Sequence, residues 1–357
     1  MKLSRKQSAF LTETIDSWEK SGTLSKDTAN ILRESYETTA FDWKKLAKYS
    51  FWAALVCIII AFTALIADEL LINLLAKFFS LPAYLLSTLF TILAAIFYYV
   101  GIKRREQKPA NIYSNESIFF IGILLTGVAV TYFGIALEIE ESYYSILILT
   151  STIIYGTLGI WFPSKLIWIF SLLSLGTWFG TQTGYISGWG AYFLGMNYPL
   201  RFVLFGALLV GLSFFMMKYE RLQILQKSTY IIGLLYLFIS LWLLSIFGNY
   251  GEINSWYDAK QIELFHWGLL FGLVAIAAII YGLKYHDYTS RSFGITFLFI
   301  NLYTKYFEFF WNGIHKAIFF AILAISLWYI GTRAEKIWNL EYLKSNLKSS
   351  EGNSNEN

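Results

Sequence analysis

Apolar runs of 18 or more residues recur along almost the whole chain, and that repetition limits the fold more than any other feature. Each run is long enough to cross a hydrocarbon core of about 30 Å as a helix. Ten such spans are predicted, at about 49–67, 81–102, 117–137, 142–162, 164–184, 200–217, 228–248, 263–283, 290–310 and 315–332. Charged residues make up only 15% of the chain, against about 25% in soluble domains. The mean hydropathy of +0.51 excludes a soluble globular class. A β-barrel would show short alternating segments instead. The fold class expected is all-α: a polytopic helical membrane protein of about ten transmembrane helices.

Basic residues set the expected sidedness. With the N-terminus inside, 23 of the 28 Lys and Arg fall on the inner side: nine in residues 1–48, then Lys103, Arg104, Arg105, Lys108, Lys165, Lys218, Arg221, Lys227, Lys284, Arg291, Arg333, Lys336, Lys344 and Lys348. Only Lys77, Arg201, Lys260, Lys305 and Lys316 fall outside or in an outer half-span. The positive-inside rule then places both termini in the cytoplasm. The outer segments carry Asp68, Glu69, Glu138, Glu140, Glu141, Glu252, Asp258 and Glu263, with Trp256 and Tyr257 as interfacial anchors.

Three regions follow: residues 1–48 as a cytoplasmic helical hairpin, 49–332 as the transmembrane bundle, and 333–357 as a cytoplasmic tail with a disordered end. The opening segment lacks the apolar stretch and cleavage site of a signal peptide. Leu11, Ile15 and Trp18 recur at helical spacing, Gly22 breaks the first helix, and Ser25 is a good N-cap for the second, with Asp27 in its first turn. The single cysteine, Cys57, supports neither an intrachain disulfide nor a metal site.

Few residues carry chemistry. In "NLYTKYFEFFW", Lys305 and Glu308 are three apart, so their side chains meet on a helix. The functional reading is a buried pair lining a polar cavity with Asn301 and Tyr303. The plain reading is an interfacial pair with Lys305 reaching for water. His315 opens the next span close to Glu308, and a proton-handling pair there is a further functional reading. Residues 185–199 are uncharged and aromatic, and lie in the interface or dip back into the protein. Gln182, Asn197 and Arg201 would then face a ligand, Arg201 being suited to a carboxylate or phosphate. Gly176, Gly180, Gly184 and Gly188 recur every four residues, and Gly268 and Gly272 repeat the spacing; tight helix packing is the ordinary use of such stripes. Glu263 and His266 show a single Glu-x-x-His, where a di-metal bundle needs two, so no metal and no cofactor is expected. No His-Glu-x-x-His, Gly-x-Ser-x-Gly or phosphate-binding glycine loop occurs, and an enzyme would need an unfamiliar site.

The segment "WEKSGTLSKDTANIL" resembles the N-terminal signature of a bacterial membrane-protein family catalogued as domain of unknown function 2157, through Trp18, Gly22, Leu24, Ser25, Asp27, Ala29 and Leu32. The stretches "WFPSKLIWIFSLLSLGTWFG", "YISGWGAYFLGMNYPLRFVLFG" and "NLYTKYFEFFW" are also similar to Bacteroidota-type members, and the similarity spans most of the chain. The resemblance implies a bacterial inner-membrane protein with a cytoplasmic helical module followed by many spans. It implies no activity and no catalytic residues. Three functions are expected to compete: a transporter-like or lipid- or solute-binding protein with a polar cavity near the outer face; a scaffold or sensor whose residues 1–48 bind a protein partner or self-associate; and an intramembrane enzyme acting on lipid-linked material. The bilayer itself is the expected partner, and nucleic acid is not.

Overall fold

The computed structural model describes residues 2–35, 37–39, 53, 56–57, 76–140 and 143–339. The chain forms two compact units, Met1–Leu81 and Pro82–Asn357. The predicted span 49–67, apart from residues 53, 56 and 57, and the tail beyond residue 339 lie outside the described residues.

In the first unit, helices α1 (Arg5–Lys20) and α2 (Lys26–Glu34) pack as a hairpin, flanked by a three-residue parallel pairing of β1 (Lys2–Ser4) with β2 (Glu37–Thr39). Ser25 caps α2 by accepting from the Thr28 amide at 3.3 Å, which satisfies one of the orphan donors of a helix start. Arg33 ties the hairpin by donating to Asp16 at 2.5 Å and Glu19 at 2.7 Å. Those two hydrogen bonds push the guanidinium pKa up. Ile15 and Ala29 are fully buried between the helices.

The second unit is helical: α3 (Ala83–Gln107), α4 (Ile112–Ala136), α5 (Tyr144–Trp161), α6 (Lys165–Ile186), α7 (Tyr198–Met216), α8 (Glu220–Phe247), the short α9 (Ile253–Tyr257), α10 (Gln261–Lys284), α11 (Tyr288–Phe310) and α12 (Lys316–Asn339). Each predicted segment from 81–102 onward overlaps one of these helices, although α8 starts eight residues before the predicted 228 and α12 runs seven residues past the predicted 332. Six of them, α3, α4, α5, α7, α8 and α10, are long and apolar enough to cross a membrane. Helix α11 carries Arg291, Lys305 and Glu308, and the second half of α6 carries Thr177, Thr181, Gln182 and Thr183. In α12 the described stretch Lys316–Tyr329 is apolar.

Local chemistry sets the helix ends. Ser164 accepts from the Ile167 amide to start α6, Asn197 accepts from the Leu200 amide to start α7, and Asp287 accepts from the Thr289 and Ser290 amides to start α11. The basic last turn of α3, with Arg104 and Arg105, complements the helix dipole. Helix α8 stops at Gly248, whose φ of 59° is open to glycine at little cost.

Consecutive helices pack as antiparallel pairs, α3 with α4, α5 with α6, α7 with α8 and α10 with α11; α8 also meets α6, α10 and α11. The α7–α8 pair is closest at Gly206 and Gly233. A Cβ on Gly206 would strike the Leu237 backbone, and one on Gly233 would lie 2.8 Å from the Val210 nitrogen. Large apolar side chains such as Leu208 (72% exposed) and Ile153 (59%) project outward, while Ser and Thr are buried. Ser87 donates to the Ala129 carbonyl at 3.0 Å, Ser171 to the Thr152 carbonyl at 3.0 Å, and Trp168 to Thr229 at 2.8 Å. Polar groups knit the helices from within, as expected of helices that meet in lipid.

Candidate functional site

One polar cluster lies where α8, α10 and α11 meet. Lys305, on α11, donates to Glu308 at 2.6 Å and to the Ser245 carbonyl of α8 at 2.7 Å. Both side chains of the ion pair are only 14% exposed. One turn back, Asn301 donates to the Gly268 carbonyl of α10 at 2.9 Å. Thr304, beside Lys305, accepts from Trp242 of α8 at 2.9 Å.

The glycines opposite give the cluster its room. A Cβ on Gly268 would strike Cε of Lys305, and one on Gly272 would lie 3.1 Å from Nδ2 of Asn301. These two positions face polar side chains of α11, where a Cβ would close the space they occupy. Two acceptors are left over. Oδ1 of Asn301 and Oε1 of Glu308 are buried without a hydrogen-bond partner, and such atoms are rare in folded proteins because each costs free energy. Below the cluster, towards the N-terminal half of α11, lies an aromatic layer. Phe297 stacks on Phe238 at 4.9 Å between ring centroids, and Phe271 of α10 completes the layer.

A second polar construction holds the segment between α6 and α7. Arg201 is fully buried. Its Nε donates to the Met196 carbonyl at 2.9 Å, and its two terminal nitrogens to the Ala191 carbonyl at 3.2 Å and the Thr183 hydroxyl at 3.4 Å. Its guanidinium lies over the Tyr198 ring at 4.4 Å and the Phe193 ring at 5.5 Å. Asn197 reaches from the same segment to the loop after α8, donating to the Gly248 carbonyl at 2.7 Å and the Tyr250 carbonyl at 3.1 Å. Asn249 answers by accepting from the Asn197 amide and donating to the Gly195 carbonyl, both at 2.9 Å. Burial, and then the Glu263 carboxylate at 3.3 Å, push the Tyr250 phenol pKa up. Arg201 thus spends its donors on backbone carbonyls and a threonine, and acts as the stake of a tightly bonded loop pair.

The remaining predicted site residues go elsewhere. Gln182 accepts from Ser145 at 2.6 Å and joins α5 to α6. Tyr303 hydrogen-bonds Ser326 at 3.1 Å and joins α11 to α12. His315 accepts from the Ala317 amide at 3.3 Å and caps α12. Three of the predicted set, Asn301, Lys305 and Glu308, therefore share one cluster; Asn197 and Arg201 share another. The stripe on α6 receives aromatic rings: Gly176 faces Tyr236, Gly180 faces Phe202, and Gly184 faces Tyr198 and Trp189. Ser245 is a site group that sequence reasoning missed. It contributes a backbone carbonyl, which carries no side-chain signature. No family model, curated protein or solved structure matches the chain.

Proposed function

We propose that this chain is a bacterial inner-membrane protein of ten spans with both termini in the cytoplasm, related to the family of unknown function that its N-terminal signature resembles. We propose further that it is transporter-like and binds or moves a small polar solute at the α8–α10–α11 junction, near the outer face. The observation that carries this reading is the largely buried Lys305–Glu308 pair, with Oε1 of Glu308 itself and Oδ1 of the neighbouring Asn301 left without a partner. Ionisable groups within a bundle are expensive and cluster at substrate and ion pathways. Glu308→Gln and Lys305→Met should each abolish a solute-dependent phenotype while the protein still accumulates in the membrane. Sidedness is testable with single cysteines introduced on a Cys57→Ser background. Labelling of residues 20 and 350 from opposite faces would overturn the ten-span map.

A second reading, a membrane scaffold or sensor, is favoured by the apolar surface of the α1–α2 hairpin. Phe10, Trp18 and Ile31 are exposed there. Under that reading, deletion of residues 1–48 removes function and Glu308→Gln does not.

A further inference from the structure

The α8–α10–α11 cluster also carries information about what it would bind, and we infer that its ligand is a neutral polyhydroxyl compound. The inference rests on the transporter-like reading above. Three observations lead to it.

The first is charge. The fixed charges of the cluster are one Lys305 ammonium and one Glu308 carboxylate, already paired at 2.6 Å. The other groups that meet them are uncharged: the Ser245 carbonyl from α8, Gly268 from α10, and Asn301 on α11 itself. An anion or cation would add a buried charge with no partner left to compensate it, which low-dielectric surroundings penalise heavily. A neutral ligand avoids that cost.

The second is the sense of the free hydrogen-bonding groups. Oδ1 of Asn301 and Oε1 of Glu308 both accept, and Asn301 is more than nine-tenths buried. Lys305 uses two of its three N–H bonds. A ligand must therefore bring several donors and at least one acceptor. Hydroxyl groups supply both.

The third is spacing. Residues 301 and 308 are seven apart, so they return to the same face of α11, about 10 Å apart along its axis. The two acceptors thus belong to different turns of one helix face. A chain or ring of several hydroxyl-bearing carbons reaches both, and the rings of Phe271 and Phe297 would give its C–H faces an apolar floor. In this structure both acceptors are shut away. Access requires α11 to move from α8, and the Lys305–Ser245 hydrogen bond is the tie that must break.

The test uses the full chain in proteoliposomes, with sorbitol as the probe and stopped-flow light scattering as the readout. Sorbitol influx should be several-fold faster than in protein-free vesicles. Asn301→Leu should return it to the protein-free rate. Should Asn301→Leu fail to fold, Gly272→Ala serves instead, because it adds one methyl beside Asn301 and favours the helix; it should slow sorbitol clearly. Faster sodium or proton movement with sorbitol at the protein-free rate overturns the polyol inference and leaves the transporter-like reading standing. No acceleration of any of these probes counts against both. Sorbitol influx that neither variant alters also overturns the inference, because the route would then lie away from Asn301.

Discussion

Gly268 of α10 lies directly against the Lys305 side chain of α11, so that a methyl group at position 268 would occupy the volume of the lysine's Cε. The glycine is therefore part of the ion-pair site, although it contributes no functional group. Gly268→Ala should destabilise the protein by about 1–3 kcal/mol, the usual cost of overpacking, despite alanine's better helix propensity. A double-mutant cycle with Lys305→Ala isolates the cause. The alanine at 268 should become neutral or stabilising once the lysine is shortened, giving a coupling energy of roughly 1 kcal/mol or more. Additive effects in thermal unfolding of the detergent-solubilised protein would show that the two residues do not share that space.

The Lys305–Glu308 pair makes a prediction of the opposite kind. Removing one partner leaves a largely buried charge alone, which typically costs about 3–5 kcal/mol. The pair is 14% exposed on each side, so the lower end of that range is expected. Lys305→Met should be more harmful than the double variant Lys305→Met/Glu308→Gln, in which no charge remains. Unfolding midpoints of the two single variants and the double variant decide the matter. A double variant less stable than both singles would mean that the pair itself holds the helices together.

Much of the fold is legible in the residues, because helix length and apolar content are properties of each segment alone. Pro82, Ser164, Pro199 and Asp287 punctuate the chain where helices α3, α6, α7 and α11 begin. The site is legible only in part. Lys305, Glu308 and Asn301 reveal themselves because i, i+3 and i+4 residues share a helix face. The partner across the gap, the Ser245 carbonyl, does not, since every residue has a carbonyl. The glycine stripes are ambiguous for a similar reason. A missing side chain shows that something approaches closely without showing what. Against Gly206 it is helix backbone, against Gly176 a tyrosine ring, and against Gly268 a lysine. Arg201 illustrates the same limit. Its charge suggests an anionic partner, whereas its donors go to the carbonyls of its own loop and to a threonine, an arrangement that depends on how residues 187–197 fold back.

In the first unit, Ser25 supplies a narrower test. Its hydroxyl accepts from the Thr28 amide at 3.3 Å, and loss of such a cap costs about 1 kcal/mol. Ser25→Ala should speed hydrogen exchange in the first turn of α2 several-fold, while Ser25→Asp should preserve protection because a carboxylate at a helix start also favours the dipole. Exchange measured by mass spectrometry on the intact protein reads this directly. Equal exchange in Ser25→Ala and the parent chain would mean that the buried Ile15 and Ala29 and the Arg33 ion pairs hold the hairpin without the cap.

Arg201 allows the loop clamp to be separated from any role of charge. Its planar fork reaches three oxygens in three directions, the carbonyls of Met196 and Ala191 and the hydroxyl of Thr183. A lysine ammonium is a point donor and does not reproduce that geometry. Arg201→Lys keeps a buried cation with fewer partners, and should cost about 2–4 kcal/mol, the penalty of unsatisfied buried groups. Arg201→Met removes the charge but strands the same two carbonyls, and should cost less. Both should loosen residues 187–197, where Trp189 and Leu194 hold left-handed backbone conformations at φ of 57° and 52°. Such conformations persist only under surrounding constraint. Limited proteolysis of the protein in nanodiscs should therefore cut this segment faster in both variants than in the parent chain. If the segment is cut at the parent rate in both variants, the hydrogen bonds of Asn197 and Asn249 suffice to hold the loop, and Arg201 is not its stake.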